Sequence, residues 1–440
     1  MREMKDSGVP WIGEIPKGWR KYRIKYNTFL KGRIGWQGLN SSDFIDEGYC
    51  LITGTDFDNK GGIHWDTCYR ISKERFDEDE LLHVKEGDLL MTKDGTVGKM
   101  ALIKHLPEEA SLNSHLLIIR QITSMMTNEF LYWMMMSGVF KHFCALYQSG
   151  SIMSSIGQGT LESFSCPCPP LGEQRRIAEF LDAKCTEIDF VLEQTKASIE
   201  EYKKLKQSVI TEAVTKGIRG ERPMKDSGVE WIGEIPTEWR ASKLKYVANT
   251  QGRIGFKGYT SADLVGEGEG ALTIGGKHIG RNLLDLTDPD FISWEKYYES
   301  PEIMVAKGDL LIAQRGSVGK VALVNREIGE ATINPSLVLI RCHSMNEKLL
   351  YYNLIADFTQ KEISLLNTAT AVPMISQWQI NNLHIITPPL PEQQEIVIYL
   401  DEKCAAIDSL IASKEALITE LEAYKKSLIY EYVTGKKEVM

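Results

Sequence analysis

The residues best suited to chemistry are cations gathered in two acid-free runs. Between Ile15 and Ser42 stand Lys17, Arg20, Lys21, Arg23, Lys25, Lys31 and Arg33, with no acid among them. Between Trp239 and Ala262 stand Arg240, Lys243, Lys245, Arg253 and Lys257, again with no acid. Such a run is either a solvated face or a surface for phosphate. A solvated face is the commoner case, and recurrence in both halves of a chain of net charge −9 brings the phosphate reading level with it. A second pair of stretches follows, KEGDLLMTKDGTVGKMALI at 85–103 and AKGDLLIAQRGSVGKVALV at 306–324. Each reads as two apolar strands around a polar tip, with Gly95, Gly98, Gly316 and Gly319 supplying unusual backbone angles. The tips differ, Lys93-Asp94 against Gln314-Arg315. A shared frame with a variable tip suits two readers of different ligands; a plain structural hairpin is the competing reading.

Other chemistries lack their residues. The hairpin loop has the wrong glycine spacing for a Walker loop, and Lys99 and Lys320 precede Met and Val instead of Ser or Thr. No HExxH, zinc-spaced Cys/His set, methyltransferase Asn-Pro-Pro-Tyr or helicase ATP site is present, and the eight histidines are isolated. Cys166 and Cys168 sit two apart, but Ile385 and Thr387 replace them in the second copy, so the eight cysteines read as reduced core thiols.

The elements positioning these residues come in duplicate. MKDSGVPWIGEIP at 4–16 returns at 224–236 as MKDSGVEWIGEIP, which marks a duplicated domain. Trp11, Ile12 and Pro16 read either as a docking segment or as a surface arm. Alternation in KYRIKY and SKLKYV predicts half-buried strands, followed by the GRIGWQG and GRIGFKG turns. Short strands such as Tyr49–Thr53 and Ala271–Gly275 predict a β-rich mixed domain. A helix-like stretch spans Asn128–Tyr147, with a partner at Glu347–Leu366.

Each half then enters a long helical run. No proline or glycine stands between Glu173 and Lys216, and apolar residues recur at helical spacing. Read as heptads, this run carries Leu181, Ile188, Thr195, Tyr202 and Val209 at a, Val191 and Leu205 at d, and Leu192 and Ile199 at e. The second carries Leu400, Ile407, Leu421 and Leu428 at a, with Leu410, Leu417 and Tyr424 at d. An apolar seam about 65 Å long needs a partner of equal length, and the chain supplies one. Thr195 and Lys414 are polar a positions able to fix register.

At 440 residues the chain holds two or three domains. No apolar run approaches the length of a membrane span, and no signal peptide opens the sequence, so a cytoplasmic location away from membranes is expected.

The ordered set GV-x-WIGEIP, GDLL…G-x-VGK and PPL-x-EQ opening a long helix, all twice, resembles the specificity subunit of Type I restriction–modification systems. The resemblance implies an α+β fold. Two tandem β-rich mixed target-recognition domains, at 1–170 and 219–388, are each followed by a conserved spacer helix, at 171–218 and 389–440. The helices would pack as an antiparallel coiled coil, relating the copies by a pseudo-two-fold axis. It also implies a non-catalytic subunit that reads a bipartite asymmetric site in double-stranded DNA, one half-site per domain. The helices would dock two methyltransferase (modification) subunits, and restriction subunits would join. S-adenosylmethionine, ATP and Mg would belong to those partners, leaving this chain without a cofactor. On this basis Lys21, Arg23, Lys25, Arg33, Lys243, Lys245, Arg253 and Lys257 are expected at phosphates. Gln37, Lys93, Lys99, Gln314, Arg315 and Lys320 are expected at or near bases, since Gln and Arg suit adenine and guanine edges. The acidic total keeps one other class open, a scaffold of two interaction domains on a helical hairpin that binds no nucleic acid. A self-contained nuclease or methyltransferase would need a site the sequence does not display.

Overall fold

The computed structural model describes residues 2–9, 12–33, 39, 41–58, 60–147, 155–253, 258–367 and 373–439. The chain divides into two compact units, one of Met1–Lys196 with Glu415–Met440, the other of Ala197–Lys414.

In the first unit, strands Thr28–Lys31, Leu116–Gln121, Leu89–Thr92 and Met100–Leu102 form an antiparallel four-stranded sheet in that spatial order. A second sheet is ordered Ala110–Leu112, Tyr49–Ile52, Tyr69–Ile71, Phe44–Ile45, with its first pair parallel. Leu90, Ala101, Leu116 and Ile118 of one sheet pack with Cys50, Ile52, Ala110 and Leu112 of the other. The opposite face of the antiparallel sheet, with Leu89, Met91, Leu117 and Ile119, packs on helical residues including Phe130, Met134 and Phe140. The second unit repeats both sheets: Ala248–Gly252, Leu337–Cys342, Leu310–Ala313, Val321–Leu323, and then Leu264–Val265, Asp290–Ser293, Gly270–Ile274, Ala331–Ile333. It adds a small hairpin, Ile279–Gly280 with Leu283–Leu284. Burying both faces of the antiparallel sheets explains the continuous apolar runs at 89–91, 116–119 and 310–313.

Two details depart from the sequence reading. The stretch Asn128–Tyr147 is two helices, Asn128–Met136 and Gly138–Tyr147. Ser137 is extended, its Oγ donates to the Met134 carbonyl, and it accepts from the Val139 amide, which ends one helix and starts the next. Ala356 breaks the equivalent stretch between Glu347–Ile355 and Asp357–Leu366. The strand at KYRIKY stops at Arg23, because Ile24–Asn27 turns into a short helix.

The long helices are Leu171–Lys216 and Leu390–Val433. The duplicated PPL-x-EQ motif is their starting device. Glu173 accepts from the indole Nε1 of buried Trp19 at 3.0 Å and pairs with Arg2. Glu392 accepts from the indole of buried Trp239 at 2.9 Å and from Arg222 at 2.7 Å. The adjoining glutamines, both buried, clamp the loop ahead of them. Gln174 Oε1 accepts from the Thr127 amide and its Nε2 donates to the Met125 and Pro169 carbonyls; Gln393 accepts from the Asn346 amide and donates to the Pro388 carbonyl. The same tryptophans receive the opposite helix ends. Gly435 lies against Pro16 and Trp19, and Gly217 against Trp239, both at positive φ where a Cβ would collide. Within each unit, one tryptophan thus joins the start of one long helix to the end of the other.

That arrangement requires antiparallel helices, and the side chains agree. In the first unit Phe180 meets Tyr432, and Asp189 accepts from Lys425 at 2.6 Å. In the second, Tyr202 lies beneath Lys414 and Asp408 accepts from Lys206 at 2.7 Å. Residue numbers rise on one helix as they fall on the other.

Candidate nucleic-acid interface

The hairpins share a closely matched backbone geometry in the two units. Gly95 and Gly98 have φ of 72° and 88°; Gly316 and Gly319 have 72° and 85°. The Lys93 amide donates to the His115 carbonyl at 2.9 Å, and the Gln314 amide to the Ser336 carbonyl at 2.9 Å. The Lys93 carbonyl accepts from Ile156 at 2.9 Å, and the Gln314 carbonyl from Ile375 at 3.0 Å. Asp94 bridges to Ser155 and Arg315 to Met374. A neighbouring turn is held alike. The Asn113 amide donates to the Ile52 carbonyl and its side chain accepts from the His115 amide; Asn334 does the same with Ile274 and Ser336.

The side chains on this frame differ. In the first unit Lys93 donates to Asp94 Oδ2 at 2.7 Å, and His115 Nδ1 lies 3.4 Å from the same oxygen. Asp94, Lys99, Asn113 and His115 open onto a cleft of about 500 Å³ that Phe44 and Tyr69 also line. These two rings stack at 4.3 Å. In the second unit Arg315 and Lys320 are exposed, while Gln314 Nε2 is held by the Pro335 carbonyl at 3.0 Å. The amide expected to read a base is therefore partly spent on its own frame.

The cations expected at phosphate separate into two kinds. Lys21, Arg23, Lys25 and Lys245 are exposed. Arg23 lies 5.7 Å from the ring of exposed Tyr26, and Lys245 lies 5.3 Å from that of exposed Tyr246. Cations interleaved with open aromatic faces suit a polyanion. Lys243 is half-buried and donates to His384 Nε2 at 2.9 Å, while Glu362 holds the other ring nitrogen. Arg33 and Arg253 are buried, which corrects their assignment to phosphate. Arg33 donates to the Leu112 carbonyl and the Ser111 hydroxyl, and Arg253 to the Ile333 carbonyl and the Thr332 hydroxyl. Each clamps its sheet, and burial pushes both guanidinium pKa values down. The sequence hid this because a short run such as GRIG does not reveal whether its arginine points inward. Gln37 and Lys257, with Trp11 of the duplicated N-terminal segment, lie outside the described residues.

The helix seam also needs a correction of frame. Leu181, Ile188, Leu400, Ile407 and Leu428 are buried, and Tyr202, Val209 and Leu421 half-buried. The expected d residues face outward: Val191 is 43% exposed, Leu205 48%, Leu410 46%, Leu417 41% and Tyr424 53%. Residues four beyond the a positions lie inside instead: Leu192 and Ile199, which the heptad reading placed at e, together with Cys185, Cys404 and Ile411. Alternating steps of four and three residues are preserved, so the pattern remains that of a coiled-coil seam, displaced around the helix. Among the described residues, no helix is long and apolar enough to cross a membrane, and no group of three or more His, Cys, Asp or Glu is placed to hold a metal.

Comparison with known proteins places this geometry. The family described as Type I restriction modification DNA specificity domain matches residues 35–201 and 291–423. The specificity subunit of the Type I restriction enzyme MjaVIII from Methanocaldococcus jannaschii is 25% identical over 97% of this chain and 94% of its own length. That of EcoKI from Escherichia coli K12 is 22% identical over 96% and 90%. A chain solved in a study of assembly and conformational transition of a type I R-M system has a TM-score of 0.74 at 19% identity, covering 96% of this chain and 99% of that one. The HsdS subunit of Thermoanaerobacter tengcongensis has a TM-score of 0.51 at 20% identity, over 96% and 98%. With both repeats matched in sequence and the whole chain matched in fold, this protein belongs to the family of Type I restriction–modification specificity subunits.

Proposed function

We propose that the chain reads a bipartite, asymmetric site in duplex DNA, one half-site per recognition domain, at 1–170 and 219–388. The observation that carries this reading is the hairpin frame, matched in backbone between the two units and different in its tip charges. Membership of the specificity family supports it. The helical segments 171–218 and 389–440 dock two methyltransferase subunits, and restriction subunits join the assembly. The outward Val191, Leu205, Leu410, Leu417 and Tyr424 give those helices apolar surface to offer. The chain itself is non-catalytic, with S-adenosylmethionine, ATP and Mg on its partners, and it works in the cytoplasm, where the DNA is.

The test is selection of bound duplexes from a random pool, using the chain co-expressed with its methyltransferase subunit. A two-part motif with a fixed gap is expected, and exchanging one recognition domain should replace one half of the motif. The net charge of −9 favours the scaffold reading instead. An intact, homogeneous complex that enriches no motif would establish that alternative.

A further inference from the structure

We propose that Asp94 and Arg315 occupy equivalent reading positions and impose opposite base preferences on the two half-sites. Asp94 takes cytosine or adenine, whose exocyclic amino group faces the major groove, and Arg315 takes guanine. This rests on the DNA reading above and assigns the residues that carry its specificity. The equivalence is geometric: each follows the residue whose backbone is tied to the neighbouring turn and to Ile156 or Ile375, and each forms the isolated bridge of its hairpin, to Ser155 or Met374. With the backbone held alike, the side chain is the variable.

Electrostatics decides what each side chain can meet. A carboxylate on a surface that approaches DNA is repelled by phosphates. It becomes favourable where a base edge offers it a donor, and in the major groove those donors are cytosine N4 and adenine N6. Lys93 at 2.7 Å offsets the charge of Asp94 and holds the carboxylate in place. His115, at 3.4 Å, adds a second polar contact. The adjoining cleft, with Asn113 and Lys99 on its wall, gives a base edge room to approach. Arg315 presents the reverse chemistry. It is exposed at its tip, and a guanidinium can donate twice to guanine O6 and N7. Gln314, held by the Pro335 carbonyl, serves the frame.

The experiment is duplex selection with the complex of this chain and its methyltransferase subunits, comparing wild type with Asp94→Asn, Asp94→Arg and Arg315→Asp. Wild type should enrich cytosine or adenine at one position of one half-site and guanine at one position of the other. Asn can donate as well as accept, so Asp94→Asn should lower discrimination at its single position about ten-fold or more. Asp94→Arg should move that position toward guanine, and Arg315→Asp should move its own position toward an amino-bearing base. Equal thermal melting of the variants excludes a folding defect at these surface tips. An unchanged wild-type motif in all three variants overturns the assignment while leaving the DNA reading intact. So does a loss spread over both half-sites. A wild-type complex that enriches nothing overturns the DNA reading, and this assignment with it.

Discussion

Glu392 shows how a single residue can hold two elements. Its carboxylate is almost wholly buried and takes donors from both Trp239 and Arg222. The Arg222 guanidinium also lies 4.8 Å over the Trp239 ring and donates to the Lys216 carbonyl at the end of the first long helix. Removing the carboxylate leaves a half-buried cation with only the Lys216 carbonyl and a buried indole N–H with no acceptor. Glu392→Ala should therefore cost about 3–5 kcal/mol, read as a lowered midpoint in denaturant unfolding. Trp239→Phe removes one neutral donor and keeps a smaller aromatic ring beneath Arg222, and should cost less. The thiols give a second residue-scale expectation. Burial pushes Cys144 and Cys168 up to about 11 and Cys185 up to about 12. A thiol whose folded value is raised favours the folded state fully below its unfolded value, and loses that contribution as pH climbs toward the folded value. Stability should decline from about pH 9 through pH 11 to 12, with little change from these groups below pH 8. Equilibrium unfolding at stepped pH checks the direction. A thiol reagent at pH 8 should label the native protein slowly and all eight cysteines once it is denatured.

At the scale of elements, the seam tells which face of each long helix is structural. Leu192 is 7% exposed and stands among Ile188, Leu428 and other buried residues of its unit, whereas adjacent Val191 points outward. Leu192→Ala should cost about 2–5 kcal/mol, and Val191→Ala within about 0.5 kcal/mol, compared by chemical denaturation. If Val191 proves the costlier site, the displaced seam is wrong. The duplication, the long helices and the framing motifs were legible because each is a repeated pattern in one dimension. The seam's frame was less so, since Val191, Leu192 and Ile199 satisfy more than one helical face until a partner selects among them. Arg33 and Arg253 were misread for a related reason. An arginine flanked by glycines looks available for phosphate, and only the pairing of the second sheet shows the Ser111 and Thr332 hydroxyls that capture it. Trp19 and Trp239 carried a usable signal that went unread. Each is followed by arginine soon after the duplicated segment, 154 and 153 positions ahead of the glutamate of its PPL-x-EQ motif. Asp94 and His115 come together only through tertiary structure, being 21 positions apart.

At the scale of the whole molecule, the question is how a chain of net charge −9 holds a polyanion. Charges separated by more than about 10 Å contribute little at 0.1 M salt, so the total matters less than which cations are free at the contacting surface. Many cations are committed: Arg120 is bidentate on Asp88, Arg341 on Asp309 and Arg219 on Glu395. Arg33 and Arg253 are sunk into their sheets. Exposed Lys21, Arg23, Lys25 and Lys245 are the better phosphate candidates. Each phosphate contact releases condensed counterions, so log K against log salt falls by about 0.9 per contact. Lys25→Gln and Lys245→Gln should each make that slope shallower by about 0.9 while leaving the preferred duplex unchanged. Arg33→Gln and Arg253→Gln should lower stability without altering the slope of the fraction that remains folded. Arg315→Asp should change which duplex is preferred. Binding that ignores salt in the wild-type complex would contradict a phosphate-led interface. A slope that responds to Arg253 but not to Lys245 would return the buried arginines to the DNA surface and reverse the division drawn from their hydrogen bonds.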